Sequence, residues 1–253
     1  MNRLKGHVTL ITGGGKGIGF GLAEAFAEEG SDLVLTGRTE SRLLDAKEKL
    51  EASYGIRVLP IVADGADEDA IRNVVSKAIE TFGKINTLVN NAQVSRSGMP
   101  LVEHTKADFD LAIYSGLYAA FFYMRECFPY LKQTKGSVIN FASGAGLFGK
   151  LGQASYASAK EVIRGMSSVA AAVWGPDGVR GNVICPLAMT ESLKEWRENF
   201  PELYEKTIQG IPLGHFADPK GDIGRVCVFL ASEDAEYVTG ETITLQGGSG
   251  LRP

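Results

Sequence analysis

Cysteine and histidine are scarce in this chain of 253 residues: Cys127, Cys185 and Cys227, with His7, His104 and His215. The cysteines are odd in number and far apart, with no CxxC or similar pair. That argues against a disulfide framework or thiolate metal site and leaves buried, reduced thiols. Three scattered histidines argue equally against a histidine-built metal centre. A basic excess is also missing, since 26 Lys and Arg stand against 30 Asp and Glu, a formal net charge of −4. Nucleic acid and anionic membrane surfaces both require concentrated positive charge, so neither is an expected partner. No apolar run approaches the ~18 residues that span a bilayer. The apolar stretch Val8 to Ile11 runs into glycines and has no secretory pattern around it. These absences lead us to expect a cytoplasmic protein.

What the chain does have is an ordinary core-forming composition, 44% hydrophobic and 22% charged, enough to bury a sizeable interior. Glycine is abundant: 31 of 253 residues, roughly 12% against an average of about 7%. The glycines are clustered, as tight turns require. Short apolar runs alternate with longer stretches of helical period. Strands are expected at His7–Ile11, Asp32–Leu35, Arg57–Val62, Thr87–Asn90, Ser137–Phe141, Arg180–Ile184 and Thr242–Leu245. Helices are expected around Gly17–Glu29, Glu40–Ser53, Asp67–Phe82, Phe109–Leu131, Tyr156–Trp174 and Pro219–Ala231. Continuous apolar strands, each followed by a helix, predict one doubly wound α/β domain of Rossmann type, a mainly parallel seven-stranded sheet with helices on both faces. Residues 187–216 break the alternation at the carboxyl end of a strand, where open α/β sheets bind ligands. A substrate lid and a helix pair packed on the body are both open readings.

The first strand runs into Thr12-Gly13-Gly14-Gly15-Lys16-Gly17-Ile18-Gly19 and then a helix. Such glycines let the backbone approach a pyrophosphate, which the helix N-terminus favours through free N–H groups and its dipole. Lys16 is followed by Gly17 and not by Ser or Thr, so the turn is no P-loop, and its Gly-x-x-x-Gly-x-Gly spacing departs from GxGxxG. The end of the second strand distinguishes the cofactors, an acid there binding the ribose 2′-OH of NAD and an arginine the 2′-phosphate of NADP. Here it reads Thr36-Gly37-Arg38-Thr39. Arg38 and Lys16 without a carboxylate favour NADP(H). The nearby Glu40 is assigned to the first turn of the next helix.

Tyr156 and Lys160 stand four apart at the start of a helix and share a face. A nearby ammonium would favour the phenolate and lower the phenol below its usual value near 10. Ser143, at a strand end, could hydrogen-bond a carbonyl. Its surroundings lack the first glycine of GxSxG, and no histidine stands in a recognisable base position, so acyl transfer is discounted.

Taken together, the glycine turn, Asn90-Asn91-Ala92, Ser143, and Tyr156 with Lys160 resemble the classical short-chain dehydrogenase/reductase family. The likeness covers nearly the whole chain and includes Asp64, Asn182-Val183-Ile184-Cys185-Pro186, Gly240 and Gly247-Gly248. It implies hydride transfer between NADP(H) and a carbonyl or secondary alcohol. Tyr156 would exchange the proton, Ser143 steady the oxygen, and Lys160 bind the nicotinamide ribose while tuning Tyr156. The implied cofactor residues are Gly13, Gly15, Lys16, Gly17, Ile18, Gly19, Arg38, Asp64, Asn91, Ala92, Tyr156, Lys160, Pro186 and Thr190. Asp64 would lie by the adenine and Thr190 by the carboxamide. The substrate pocket is expected from Gln93, Ser143, Leu147, Gln153, Leu187 and Trp196, with Val94 and Phe148. Family members are commonly tetramers built on the two long helices, which implies a homo-oligomer here.

Four positions depart from the family pattern. Gln93 and Leu187 stand where glycine is usual, and Gln246 where aspartate is usual. Gly116 falls at the family's fourth catalytic residue, an asparagine thought to hold a water behind the lysine. Glycine offers no side chain for that, and its other reading is close helix packing. The alternative function is therefore a catalytically impaired or inactive NADP(H)-binding regulator. Retention of Ser143, Tyr156 and Lys160 favours an enzyme acting on a small-molecule carbonyl or alcohol.

Overall fold

The computed structural model describes residues 2–250. Seven strands, β1 (Val8–Thr12), β2 (Asp32–Gly37), β3 (Val58–Val62), β4 (Thr87–Asn90), β5 (Ser137–Phe141), β6 (Arg180–Pro186) and β7 (Thr242–Leu245), form one sheet. Their order is β3-β2-β1-β4-β5-β6-β7, and every pairing is parallel. The order reverses direction between β1 and β4, and that is where a crevice opens at the carboxyl edge of such a sheet.

The strands are apolar on both faces because both faces are covered. On β2, Leu33 and Leu35 pack with Leu22 and Phe26 of α1 (Gly17–Glu28) and Leu43 and Leu50 of α2 (Glu40–Tyr54). Val34 points the other way, joining Ile71 and Val74 of α3 (Glu68–Phe82). Alternate side chains on a strand face opposite sides, so one short run feeds two core layers. Chemistry at the helix ends agrees with the sequence: Asp67 caps α3 by accepting from the N–H groups of Asp69 and Ala70, and Gly83 ends it at φ +75°. Glu40 does lie in the first turn of α2.

The structure revises the expected helices in several places. The stretch expected as one helix over Phe109–Leu131 starts earlier and is broken. It comprises α4 (Lys106–Ala112), a wider π-type turn (Ile113–Tyr118) and α5 (Ala119–Thr134). A capping box between Thr105 and Asp108 sets the start, and buried Gly116 sits inside the π turn. A short α6 (Gly144–Phe148), N-capped by Ser143, precedes α7 (Ala154–Trp174). After β6 come α8 (Glu191–Asn199) and α9 (Pro201–Gln209), capped by Thr190 and opened by Pro201 respectively. The last expected helix is a π-type turn over Pro219–Gly224 followed by α10 (Arg225–Ala231). Among the described residues no helix is long and apolar enough to cross a membrane.

Candidate active site

The reversal between β1 and β4 is held by Thr12. Its buried hydroxyl accepts the N–H groups of Asn91 and Ala92, each at 3.0 Å, and the Asn91 carboxamide donates back to the Thr12 carbonyl at 3.0 Å. The glycine turn folds over this clamp. A Cβ at Gly19 would lie 2.2 Å from the Gly13 oxygen, and Gly13 itself adopts φ +69°. Both positions therefore need glycine for the turn to close on itself.

A cleft of about 480 Å³ opens over this edge. It is lined by Gly13, Gly15, Lys16, Gly17, Ile18 and Gly19 from the turn, with Arg38, Asp64, Asn91, Ala92, Lys160 and Thr190. Twelve of the fourteen expected cofactor residues thus share one cavity. Tyr156 and Pro186 instead line a neighbouring cavity of about 990 Å³, which meets the first at Ile18 and Thr190. They stand on α7 and at the end of β6.

Thr12 and Arg42 are among the cleft residues that the sequence reading missed. Thr12 stands directly before the glycine turn, which was the available signal. Arg42, in the first turns of α2, lines the same wall as Arg38. Its signal was a second arginine one helical turn beyond the strand end. Lys16, Arg38 and Arg42 are all exposed at the cleft rim. The glycine cradle and these cations fit a dinucleotide whose pyrophosphate lies on the turn.

Of the expected substrate residues, Ser143, Gln153, Leu187 and Trp196 line the larger cavity, as does Phe148. Leu147 does not, because the short α6 turns it inward against Ala142, Val183 and Cys185. Gln93 and Val94 belong to the dinucleotide cleft, since β4 ends directly beneath it. Gln246, which stands where aspartate is usual, lines the substrate cavity, and a Cβ on Gly144 would strike its carboxamide. Gly144 must be glycine for Gln246 to lie there.

Lys160 is buried, and its ammonium donates to the Phe141 carbonyl at 2.6 Å. Burial pushes its pKa down to about 7. The Tyr156 phenol behaves differently from the expectation. Burial pushes it up, and a hydrogen bond with Ser143 opposes that shift. Lys160 Nζ lies 5.7 Å from the Tyr156 ring centroid. Desolvation makes its own charge costly, so in the protein alone it does not hold a phenolate below the usual range.

A family model described as enoyl-(acyl carrier protein) reductase matches residues 13–249. The chain is 59% identical, over the full length of both, to a 12alpha-hydroxysteroid dehydrogenase from Clostridium sp.. The chain belongs to the classical short-chain dehydrogenase/reductase family. Further relatives include a 3-oxoacyl-[acyl-carrier-protein] reductase of Thermotoga maritima, 36% identical over 97% of this chain and 98% of that one. The crystal structure of levodione reductase superposes with a TM-score of 0.92 at 30% identity, covering 98% and 99% of the two chains. An NAD+-bound xylitol dehydrogenase gives 0.91 at 26%, covering 97% and 100%. As a short-chain dehydrogenase/reductase, the chain is an oxidoreductase that passes hydride between a nicotinamide dinucleotide and a carbonyl or alcohol.

Proposed function

We propose that this enzyme is an NADP(H)-dependent hydroxysteroid dehydrogenase that interconverts a 12α-hydroxyl and the 12-ketone. The observation that carries this reading is the larger cavity. It puts Ser143 and Tyr156 on the wall of an apolar chamber built by Leu187, Leu193, Trp196, Leu203, Ile211 and Phe216. At about 990 Å³ it lies at the upper end of the ~300–1,000 Å³ usual for small-molecule sites, roomy enough for a rigid fused-ring body. The similarity to the Clostridium enzyme suggests the steroid and the position on it.

In this reading a nicotinamide dinucleotide held by the cleft would supply the hydride donor or acceptor. Tyr156 takes the proton of the substrate hydroxyl during oxidation and returns it to the carbonyl oxygen during reduction. Ser143 donates a hydrogen bond to the same oxygen, and Lys160 holds the ribose and favours the phenolate once its own charge is supported. Lys16, Arg38 and Arg42 form the 2′-phosphate end, a cationic rim that supports NADP(H) over NAD(H). Asp64 would lie beside the adenine and Thr190 beside the carboxamide, with Pro186 bordering the ring.

Residues 187–216 are proposed to close over the substrate. Leu193, Trp196 and Leu203 of α8 and α9 line the cavity, and the Trp196, Tyr204 and Phe216 rings form a continuous row. A homo-oligomer, a tetramer by family likeness, is supported by exposed Tyr114, Tyr118 and Phe121 around the π turn and Val162, Val169 and Val173 on α7. The regulator alternative rested on Gly116, and the retained Ser143, Tyr156 and Lys160 speak against it.

The test is a set of hydroxysteroids that differ only in the position and face of the hydroxyl, each offered with NADP+ and with NAD+. The 12α-alcohol with NADP+ should be oxidised fastest by at least tenfold. Equal rates across positions would overturn the regiochemistry, and faster turnover with NAD+ would overturn the cofactor assignment.

A further inference from the structure

Two departures noted separately in the sequence meet in space. Gly116 is buried in the π turn, and a Cβ built on it would lie 2.6 Å from Gln93 Cδ and 2.8 Å from Gln93 Oε1. The glycine therefore makes room for the Gln93 side chain, and close packing of helix on helix is not its reason. The carboxamide is held at its nitrogen, and the backbone beside it is held as well. Gln93 Nε2 donates to the Ala112 carbonyl at 3.4 Å, at the junction of α4 and the turn. Ser115 Oγ accepts from Val94 N–H at 3.0 Å and lies 2.9 Å from Val94 O, which fixes the backbone next to Gln93. So oriented, Gln93 Oε1 is buried and has no hydrogen-bond partner. Gln93, Gly116 and Lys160 line the same cleft.

A buried acceptor without a donor is costly, and so is a buried ammonium with one strong acceptor. Lys160 has three N–H donors, of which one goes to Phe141 O. We propose that Gln93 and Gly116 act as one device, in which the Gln93 carboxamide fills the space a side chain at 116 would take and its Oε1 accepts, through one water, from the Lys160 ammonium. Gln93 is then a positioning residue. It supports the charged form of Lys160 without touching the substrate. The ionisable groups facing Lys160 are Tyr156 on its own helix and Cys185 on β6, and β5 presents the Phe141 carbonyl, while Gln93, just after β4, lines the same cleft.

This inference rests on the catalytic reading for its effect on turnover, but its direct test does not. The Lys160 side chain is titrated by NMR in cofactor-free protein, for the parent, Gln93→Met, Gly116→Asn and the double variant Gln93→Gly/Gly116→Asn. Methionine keeps the volume over Gly116 and removes the acceptor, so Lys160 should titrate at least half a pH unit lower. The acid limb of kcat should move with it, kcat should fall about fivefold and KM for NADPH stay within twofold. Gly116→Asn alone meets Gln93 and should lose cofactor binding, whereas the double variant restores the carboxamide from the other side and should recover the parent titration. A Lys160 titration unchanged in Gln93→Met would overturn the proposal, as would a double variant no better than Gly116→Asn. Tyr156→Phe run alongside keeps the two readings apart. Full activity there would remove the catalytic reading while the titration still decides this one.

Discussion

Lys160 makes the stability of this enzyme depend on pH in an unusual direction. Its side chain titrates near 7 in the folded protein, below the usual 10.5. Between those values the unfolded chain binds a proton that the native one does not, so stability rises with pH across that window. Below about 7 both states are charged and the burial penalty is fully felt. We expect Lys160→Met to be more stable than the parent at pH 6, with the advantage shrinking towards pH 10. Melting temperatures of both proteins across that range, without cofactor, check the sign; an advantage that grew with pH would contradict it. A second residue-scale expectation concerns Arg38. If Arg38 holds the 2′-phosphate as proposed, replacing it by Glu would remove a charge-assisted contact worth ~1.5–3 kcal/mol, which corresponds to about 10- to 100-fold. NADPH binding, followed by fluorescence titration, should weaken by that factor while NADH binding changes little. Equal losses for both would place Arg38 away from the 2′-phosphate.

At the scale of elements, α1 packs closely against the Pro219–Gly224 turn. A Cβ at Gly21 would lie 2.5 Å from Pro219 Cβ, and one at Gly224 would lie 2.5 Å from Ala25 Cβ. Gly21→Ala should therefore destabilise the protein by ~1–3 kcal/mol, the usual cost of overpacking. A denaturant midpoint unchanged from the parent would show that the turn yields freely. The same contact shows what a sequence can and cannot convey. The seven strands are legible because each is a short apolar run with glycine or polar punctuation, and their observed limits differ from the expected ones by a few residues at most. The break in the long helix was not legible. Periodicity continues through Ile113–Tyr118, where the structure has a π turn, and nothing local in the sequence says that Gln93 from beyond β4 lies over Gly116. Leu147 failed for a similar reason, because its direction depends on a five-residue helix that Ser143 caps. The motif residues gather at one edge of the sheet, whereas the places of Leu147 and Gly116 depend on partners distant in sequence.

At the scale of the whole molecule, the parallel sheet brings two cavities to one edge. The glycine turn, Arg38 and Arg42 end one of them, and the apolar chamber under α8 and α9 forms the other. Ser143 and Tyr156 border the chamber, and Lys160 the cleft, which is the division of labour that hydride transfer with a proton partner requires. Gln246 and Leu187 line the chamber too, so the departures from the family pattern fall on the substrate side and behind Lys160. The pyrophosphate turn keeps its glycines. The most direct measurement follows NADPH formation from NADP+ and a 12α-hydroxysteroid, with the parent and Tyr156→Phe at equal concentration and matched cofactor occupancy. The parent should turn over and the variant should fall by about 10²- to 10⁴-fold, the usual contribution of an acid–base group. A variant as fast as the parent, or a parent that binds NADPH tightly and oxidises no 12α-alcohol, would contradict the account.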